Sequence, residues 1–189
     1  MRIIGGAKRG AKLEAPEGRE LRPTADRVRE AVFNILVHGI EGGDPADAVV
    51  LDLFAGTGAM GLEALSRGAA HVTFVESDEA ALRTLCANTR KLDGGAGTTV
   101  LRHDATRLGR PPLAAKTPAQ IAFLDPPYRS GLAAPTLTAL VANGWLEDGA
   151  VCIVETGAKE DVEPPAGFTA IDERRYGAAK VTFLVKKVF

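Results

Sequence analysis

Apolar positions along this chain follow two alternating periods, and the alternation predicts the architecture. Short apolar runs at 49–54, 71–76, 98–102, 120–125 and 150–155 read as strands. Segments with helical spacing lie among them, at 24–37, 59–67, 78–91 and 133–142. In the first of these, Val28, Ala31, Val32, Ile35 and Leu36 fall at i, i+3, i+4, i+7 and i+8 and predict a core face, with Arg27 and Arg29 off the stripe. Thr24 is the expected N-cap, with Asp26 in the first turn and Gly39, Gly42 and Gly43 at the far end. Residues 168–176 and 179–188 meet at Gly177 and read as an antiparallel hairpin, with Val181, Phe183 and Val185 alternating onto one face. Residues 1–15 suit a small hairpin around Gly5-Gly6 or Gly10, and Pro16 to Pro23 a loop. Strands alternating with helices predict an α/β fold, a mostly parallel sheet covered on both faces.

Two motifs carry chemistry. The first runs Val49-Val50-Leu51-Asp52-Leu53-Phe54-Ala55-Gly56-Thr57-Gly58-Ala59-Met60-Gly61. A strand ends in a G-x-G-x-x-G loop and a helix follows, which brings backbone close to a ligand and aims helix N–H groups at an anionic group. Glu76 lies at the end of the next strand, at the spacing where a carboxylate holds ribose hydroxyls. The second motif is Asp125-Pro126-Pro127-Tyr128, directly after Ile121-Ala122-Phe123-Leu124. The two prolines hold Asp125 in extended backbone at a strand end and present carbonyls without N–H groups. The turn is rich in acceptors and suits a donor such as the exocyclic amine of a nucleobase, with Tyr128 as a stacking face. Taken alone, either motif also fits a plain turn or a generic nucleoside site.

Charge narrows the ligand. Asp52, Glu76, Asp104 and Asp125 all fall at or just past strand ends, which in a parallel sheet face one crevice. A pyrophosphate dinucleotide is repelled there. S-Adenosylmethionine, with a sulfonium and an ammonium against one carboxylate, is attracted. A methyl donor is therefore favoured over a hydride donor.

The remaining composition sets limits. A chain of 189 residues, 46% hydrophobic and 25% charged, suits one globular domain with a short extension. Cys86 and Cys152 lie far apart in apolar patterns and read as buried free thiols in a reducing cytoplasm. No apolar run approaches a membrane span, and the N-terminus has no signal-peptide pattern. His38, His71 and His103 share no ligand spacing, so no metal site is expected. His103 reads as a surface residue at a strand end and Trp145 as packing at a strand start. The net charge of −1 hides a segregation: Arg2, Lys8, Arg9 and Lys12 put four positive charges and no acid in the first twelve residues. Such an extension suits a polyanion that the acidic crevice repels, though a solvated tail has the same composition.

At this point the chain resembles a family. Arg2-Ile3-Ile4-Gly5-Gly6, the run Leu21-Arg22-Pro23-Thr24-Ala25-Asp26-Arg27-Val28-Arg29-Glu30 with Phe33-Asn34, the glycine loop with Gly61-Leu62-Glu63-Ala64, and Asp125-Pro126-Pro127-Tyr128 with Gly144-Trp145-Leu146 are similar to the bacterial small-subunit ribosomal RNA (guanine-N2)-methyltransferases. The resemblance implies a Rossmann-like class I methyltransferase fold, seven strands with the last antiparallel, split into a basic extension at 1–23 and a methyltransferase domain at 24–189. It implies that Asp52, Gly56 and Gly58 hold the methionine end of S-adenosylmethionine, Glu76 its ribose, and Asp104, followed by Ala105, its adenine amino group, with Phe54, Ala55 and Ser77 also at the cofactor site. Asp125, Pro126, Pro127 and Tyr128 would form the catalytic turn, and Arg2, Lys8, Arg9, Arg22 and Arg27 would contact RNA. The implied partner is 16S ribosomal RNA in an assembled or partly assembled small subunit, met by a monomer. The rival readings are a DNA adenine-N6 or cytosine-N4 methyltransferase, an NAD-dependent oxidoreductase, and a non-catalytic RNA-binding protein.

Overall fold

The structure, a computed structural model, describes residues 1–15, 23–93 and 95–188; the side chains of 23–25 and 93 are not described. The predicted loop from Pro16 to Pro23 and the expected RNA contact Arg22 therefore fall almost entirely outside the described residues. The elements run α1 (Pro23–Gly39), β1 (Val49–Leu53), α2 (Ala59–Ser66), β2 (His71–Glu76), α3 (Glu79–Asp93), β3 (Thr98–Arg102), β4 (Ala119–Leu124), α4 (Ala133–Ala142), β5 (Leu146–Gly157), β6 (Phe168–Tyr176) and β7 (Ala179–Lys186). Two short 3-10 turns, Ala105–Arg107 and Leu113–Ala115, lie between β3 and β4.

The strands form one seven-stranded sheet in the order β3-β2-β1-β4-β5-β7-β6. β1 pairs in parallel with β2 and β4, β2 with β3, and β4 with β5, while β7 runs antiparallel between β5 and β6. This is the Rossmann-like class I methyltransferase arrangement that the resemblance implied. Because side chains alternate across the pleat, the central strands feed two cores. Val50, Phe74, Ile121, Phe123 and Ile153 pack with α1, α2 and α3 on one face. Leu51, Leu53, Val75, Leu124 and Val154 pack with α4, the 3-10 turns and Trp145 on the other.

Several boundaries differ from expectation for physical reasons. α1 already contains Thr24, so the cap does not fall there; Pro23 stands at the first helical position, where its missing N–H costs no hydrogen bond. The buried face of α1 is Val28, Val32, Phe33 and Leu36, and Arg29, expected off the stripe, is only 3% exposed. The N-terminal hairpin covers a second side of the helix, which the periodicity of α1 alone does not report. β5 begins at Leu146 rather than 150; a register shift between the Ala119 and Ile121 pairings, with Gly149 at φ +81°, lets the strand start four residues earlier. Cys152 is buried as expected, and burial pushes its thiol well up, but Cys86 is only half-buried.

The first fifteen residues form the expected hairpin, closed by a bridge between Arg2 and Lys12 and by bonds from Ile3 N to Ala11 O (2.9 Å) and from Gly10 N to Ile3 O (2.9 Å). Ile3 and Leu13 enter the core. Gly6, at φ +72°, lies flush on the end of α2: a Cβ there would stand 1.8 Å from the Ser66 carbonyl oxygen.

Candidate active site

Parallel pairing of β1 to β4 brings the four strand-end carboxylates to one edge of the sheet. Asp52 sits on β1, Glu76 ends β2, Asp104 follows β3 and Asp125 follows β4. Asp52 is buried, 3% exposed, and accepts the Gly61 N–H at 2.8 Å. Burial, followed by the nearby charges of Asp125 and Glu76, pushes its carboxyl up to about 8, against the pull of the Gly61 bond. Three acids within electrostatic reach of one another leave this edge short of positive charge.

Glu76 organises the rim of the crevice. One of its oxygens accepts the Gly56 N–H at 2.8 Å; the other accepts those of Ser77 (2.7 Å) and Asp78 (2.8 Å). Gly56 takes φ +55°, with nothing but Phe54 O, at 4.0 Å, near the position of a Cβ. The loop is open over Gly56. Gly58 and Gly61 are also required for packing, since a Cβ there would stand 2.4 Å from Leu85 and from Phe74 respectively. Asp104 is exposed and caps the first 3-10 turn, accepting from Thr106 N (2.9 Å) and Thr106 Oγ1 (2.7 Å). Those bonds, the hydroxyl's first, hold its carboxyl below the usual range. Ala105 behind it is buried. His103 beside it is exposed, as expected for a strand end.

The Asp125 turn leaves β4 with Asp125 exposed, Pro126 buried, and Pro127 and Tyr128 exposed. The Pro127 carbonyl accepts the Ser130 N–H at 3.2 Å, which closes the turn. Tyr128 Oη donates to Glu155 Oε1 at 2.8 Å, fixing the ring while leaving the residue 45% exposed. Burial raises the Glu155 carboxyl, and the tyrosine bond partly offsets this. Glu160 binds the turn to β5, accepting the N–H groups of Arg129 and Gly157. Beside it lies a concavity of about 320 Å³ lined by Pro126, Pro127, Ser130, Leu132, Thr156 and Glu160. Thr156 Oγ1, on its wall, is buried without a hydrogen-bond partner.

On the hairpin side, Arg2, Arg9 and Arg27 line a groove of about 460 Å³ together with Asp26 and Glu30. Lys8 is exposed nearby, its N–H bonded to Ser66 Oγ at 2.9 Å. The described members of the predicted basic set thus share one region, apart from the carboxylates. Among the described residues no cluster of three His, Cys, Asp or Glu side chains has the geometry to hold a metal ion, and no helix is long and apolar enough to cross a membrane.

Four side chains that hold the site together have no role assigned from the sequence: Glu63, named above only within a motif, Asn88, Glu155 and Glu160. Glu63 and Asn88 left a signal, each a polar residue set among apolar ones on a helix, at Leu62-Glu63-Ala64 and between Leu85 and Leu92. Glu155 and Glu160 left none, because their bonds to the Asp125 turn, from Tyr128 and Arg129, span 27 and 31 residues of chain.

The strand order, the glycine loop and the acidic edge define a class I, Rossmann-like methyltransferase. Solved structures agree: the chain superposes on the yhhF protein of Escherichia coli with a TM-score of 0.83 at 38% identity, covering 100% of this chain and 99% of that one. It superposes on magnesium protoporphyrin IX methyltransferase from Synechocystis, solved with bound S-adenosylmethionine, with a TM-score of 0.65 at 14% identity over 90% and 87% of the two chains, a likeness of fold alone. The family model described as conserved hypothetical protein 95 matches residues 1–185. The chain belongs to that family, and within it to the small-subunit ribosomal RNA methyltransferases. It is 46% identical to ribosomal RNA small subunit methyltransferase D of Escherichia coli over 178 residues, 94% of this chain and 85% of the relative. The protein of the same name in Haemophilus influenzae is 35% identical over 94% of this chain and 89% of its own length.

Proposed function

We propose that this protein transfers a methyl group from S-adenosylmethionine to the exocyclic N2 amine of a guanine in 16S ribosomal RNA, within an assembled or partly assembled small subunit. The observation that carries the reading is the meeting, on one sheet edge, of an acidic cofactor crevice and the acceptor-rich Asp125-Pro126 turn. The small-subunit relatives support the RNA substrate.

The residues suit the cofactor. Asp52, Glu76 and Asp104 offer carboxylate oxygens to an ammonium, a ribose diol and an adenine amine, and Gly56 leaves open space above the loop. When bound, S-adenosylmethionine supplies an electrophilic methyl group on a sulfonium. The protein orients the nucleophile toward it. A guanine N2 lone pair is conjugated with its ring and reacts poorly unless held in line. Asp125 Oδ and the Pro126 carbonyl accept its two N–H bonds, which places the lone pair and stabilises the positive charge that develops on nitrogen. The amine becomes acidic as the new N–C bond forms, so its proton leaves readily toward Asp125 or water. Tyr128, held by Glu155, stacks on a base taken out of its helix.

The test is methyl incorporation from labelled cofactor into small subunits lacking the modification, into the same RNA stripped of protein, and into duplex DNA, with the product nucleoside identified. N2-methylguanine from subunits is expected. Asp125→Ala lowers that rate by at least ~100-fold while cofactor binding survives in part. Label in duplex DNA alone, or near wild-type turnover in Asp125→Ala, overturns the assignment.

A further inference from the structure

Asn88 joins the glycine loop to the N-terminal extension. It lies on α3, fully buried. Its Oδ1 accepts the Glu14 N–H at 2.7 Å, and its Nδ2 donates to the Glu14 carbonyl at 3.1 Å and to the Thr57 carbonyl at 3.0 Å. A primary amide has one carbonyl oxygen and two N–H bonds, and all three are engaged here. Two of the bonds grip the end of the hairpin as a neighbouring strand would. The third lands between Gly56 and Gly58, on the loop proposed to hold the cofactor.

A second, separate link holds the extension to α2, the helix that follows the loop. Glu63, fully buried, accepts the N–H groups of Ile4 (2.8 Å) and Gly5 (2.7 Å), while two residues earlier on that helix Gly61 donates to Asp52. The extension is therefore held at both ends by the elements that flank the loop. Of the two, Asn88 alone touches the loop itself.

We propose that Asn88 is a positioning residue that couples cofactor binding to the state of the N-terminal extension, and through it to RNA. Ordering the loop around the cofactor fixes the Thr57 carbonyl; this fixes the Asn88 amide and in turn Glu14. By linkage the effect is reciprocal: RNA bound on the extension tightens the cofactor by the same factor as the cofactor tightens RNA. The RNA half rests on the function proposed above; the link from loop to extension does not.

The experiment separates the two. Hydrogen exchange at the Glu14 amide is followed with and without S-adenosylhomocysteine, and small-subunit binding is measured under the same two conditions. In the wild type, the ligand slows Glu14 exchange and tightens subunit binding about fivefold or more. Asn88→Asp keeps the shape but turns an oxygen toward the two carbonyls, and Asn88→Ser removes those donors by shortening. With the ligand at a concentration that saturates each variant, both lose the response at Glu14. Leu92→Ala, a core change on the same helix, lowers the melting temperature and keeps the response. No ligand-dependent protection at Glu14 in the wild type, or a full response in both Asn88 variants, overturns the proposal. Protection at Glu14 with no subunit binding supports the coupling and overturns the ribosomal substrate instead.

Discussion

Asp52 carries a carboxyl buried to 3% exposure beside the charges of Asp125 and Glu76, and its ionisation bears on stability and, under the function proposed above, on cofactor binding. An aspartate in the unfolded chain ionises near pH 4, whereas in the fold this one keeps its proton up to about 8. Across that window folding takes up a proton, so stability falls as pH rises and levels off above it. Asp52→Asn retains an acceptor for the Gly61 N–H and removes the titration. Its melting temperature is expected to match wild type near pH 4 and to exceed it near pH 8, while cofactor affinity drops roughly tenfold or more. Thermal melts over pH with and without S-adenosylhomocysteine check both. Wild-type affinity should also rise with pH toward about 8, because a bound ammonium favours the ionised carboxylate.

At the scale of elements, α2 does more than follow the glycine loop. Its Glu63 carboxylate binds the hairpin amides, bonds to Arg67 Nε at 2.8 Å and lies 3.5 Å from Arg29 Nε. Arg29 also donates to the Arg2 carbonyl at 2.6 Å and to Asp26 at 3.0 Å, and Arg67 stacks 4.7 Å above the Phe33 ring. The Arg29 Nε approach has ion-pair distance but not hydrogen-bond geometry, so the pairing is electrostatic there. Glu63→Ala takes one of the two carboxylates from buried Arg29, leaving Asp26, and leaves two hairpin amides without an acceptor, a change of about 3–5 kcal/mol. The expected result is a lower melting temperature, with amide exchange in residues 1–13 rising before that of β1 and β4. Glu63→Gln keeps an acceptor and loses less. Equal protection of hairpin and sheet in Glu63→Ala would show that the hairpin is held without Glu63, by Ile3, Leu13 and the bonds with Asn88, Arg29 and Ser66.

Over the whole molecule, Arg2, Arg9 and Arg27 line the hairpin groove beside Asp26 and Glu30, while four carboxylates gather at the strand edge. The division suits two ligands of opposite character: a cationic cofactor at the edge and a polyanion along the groove. Arg9→Glu with Arg27→Glu should weaken subunit binding and lower the salt slope of log K by roughly 0.7–0.9 for each phosphate that the protein no longer neutralises. Cofactor affinity should stay unchanged. Binding measured over a range of salt concentrations decides it; an unchanged slope places the RNA elsewhere.

What the sequence determined by itself was local or periodic. The strands and helices, the parallel α/β class, the closing hairpin at Gly177, the glycine loop and the Asp125 turn all follow from spacing, glycine and proline, which act over a few residues. The placement of four carboxylates on one edge was also legible, because parallel strands send their ends the same way. Tertiary structure alone decided which polar residues are buried. Arg29 read as an exposed position until the hairpin covered α1, and Asn88 joins Glu14 to Thr57, 74 and 31 residues away along the chain. A hydrogen bond across such a separation depends on where the sheet and its helices bring the backbone, and no period in the chain encodes it.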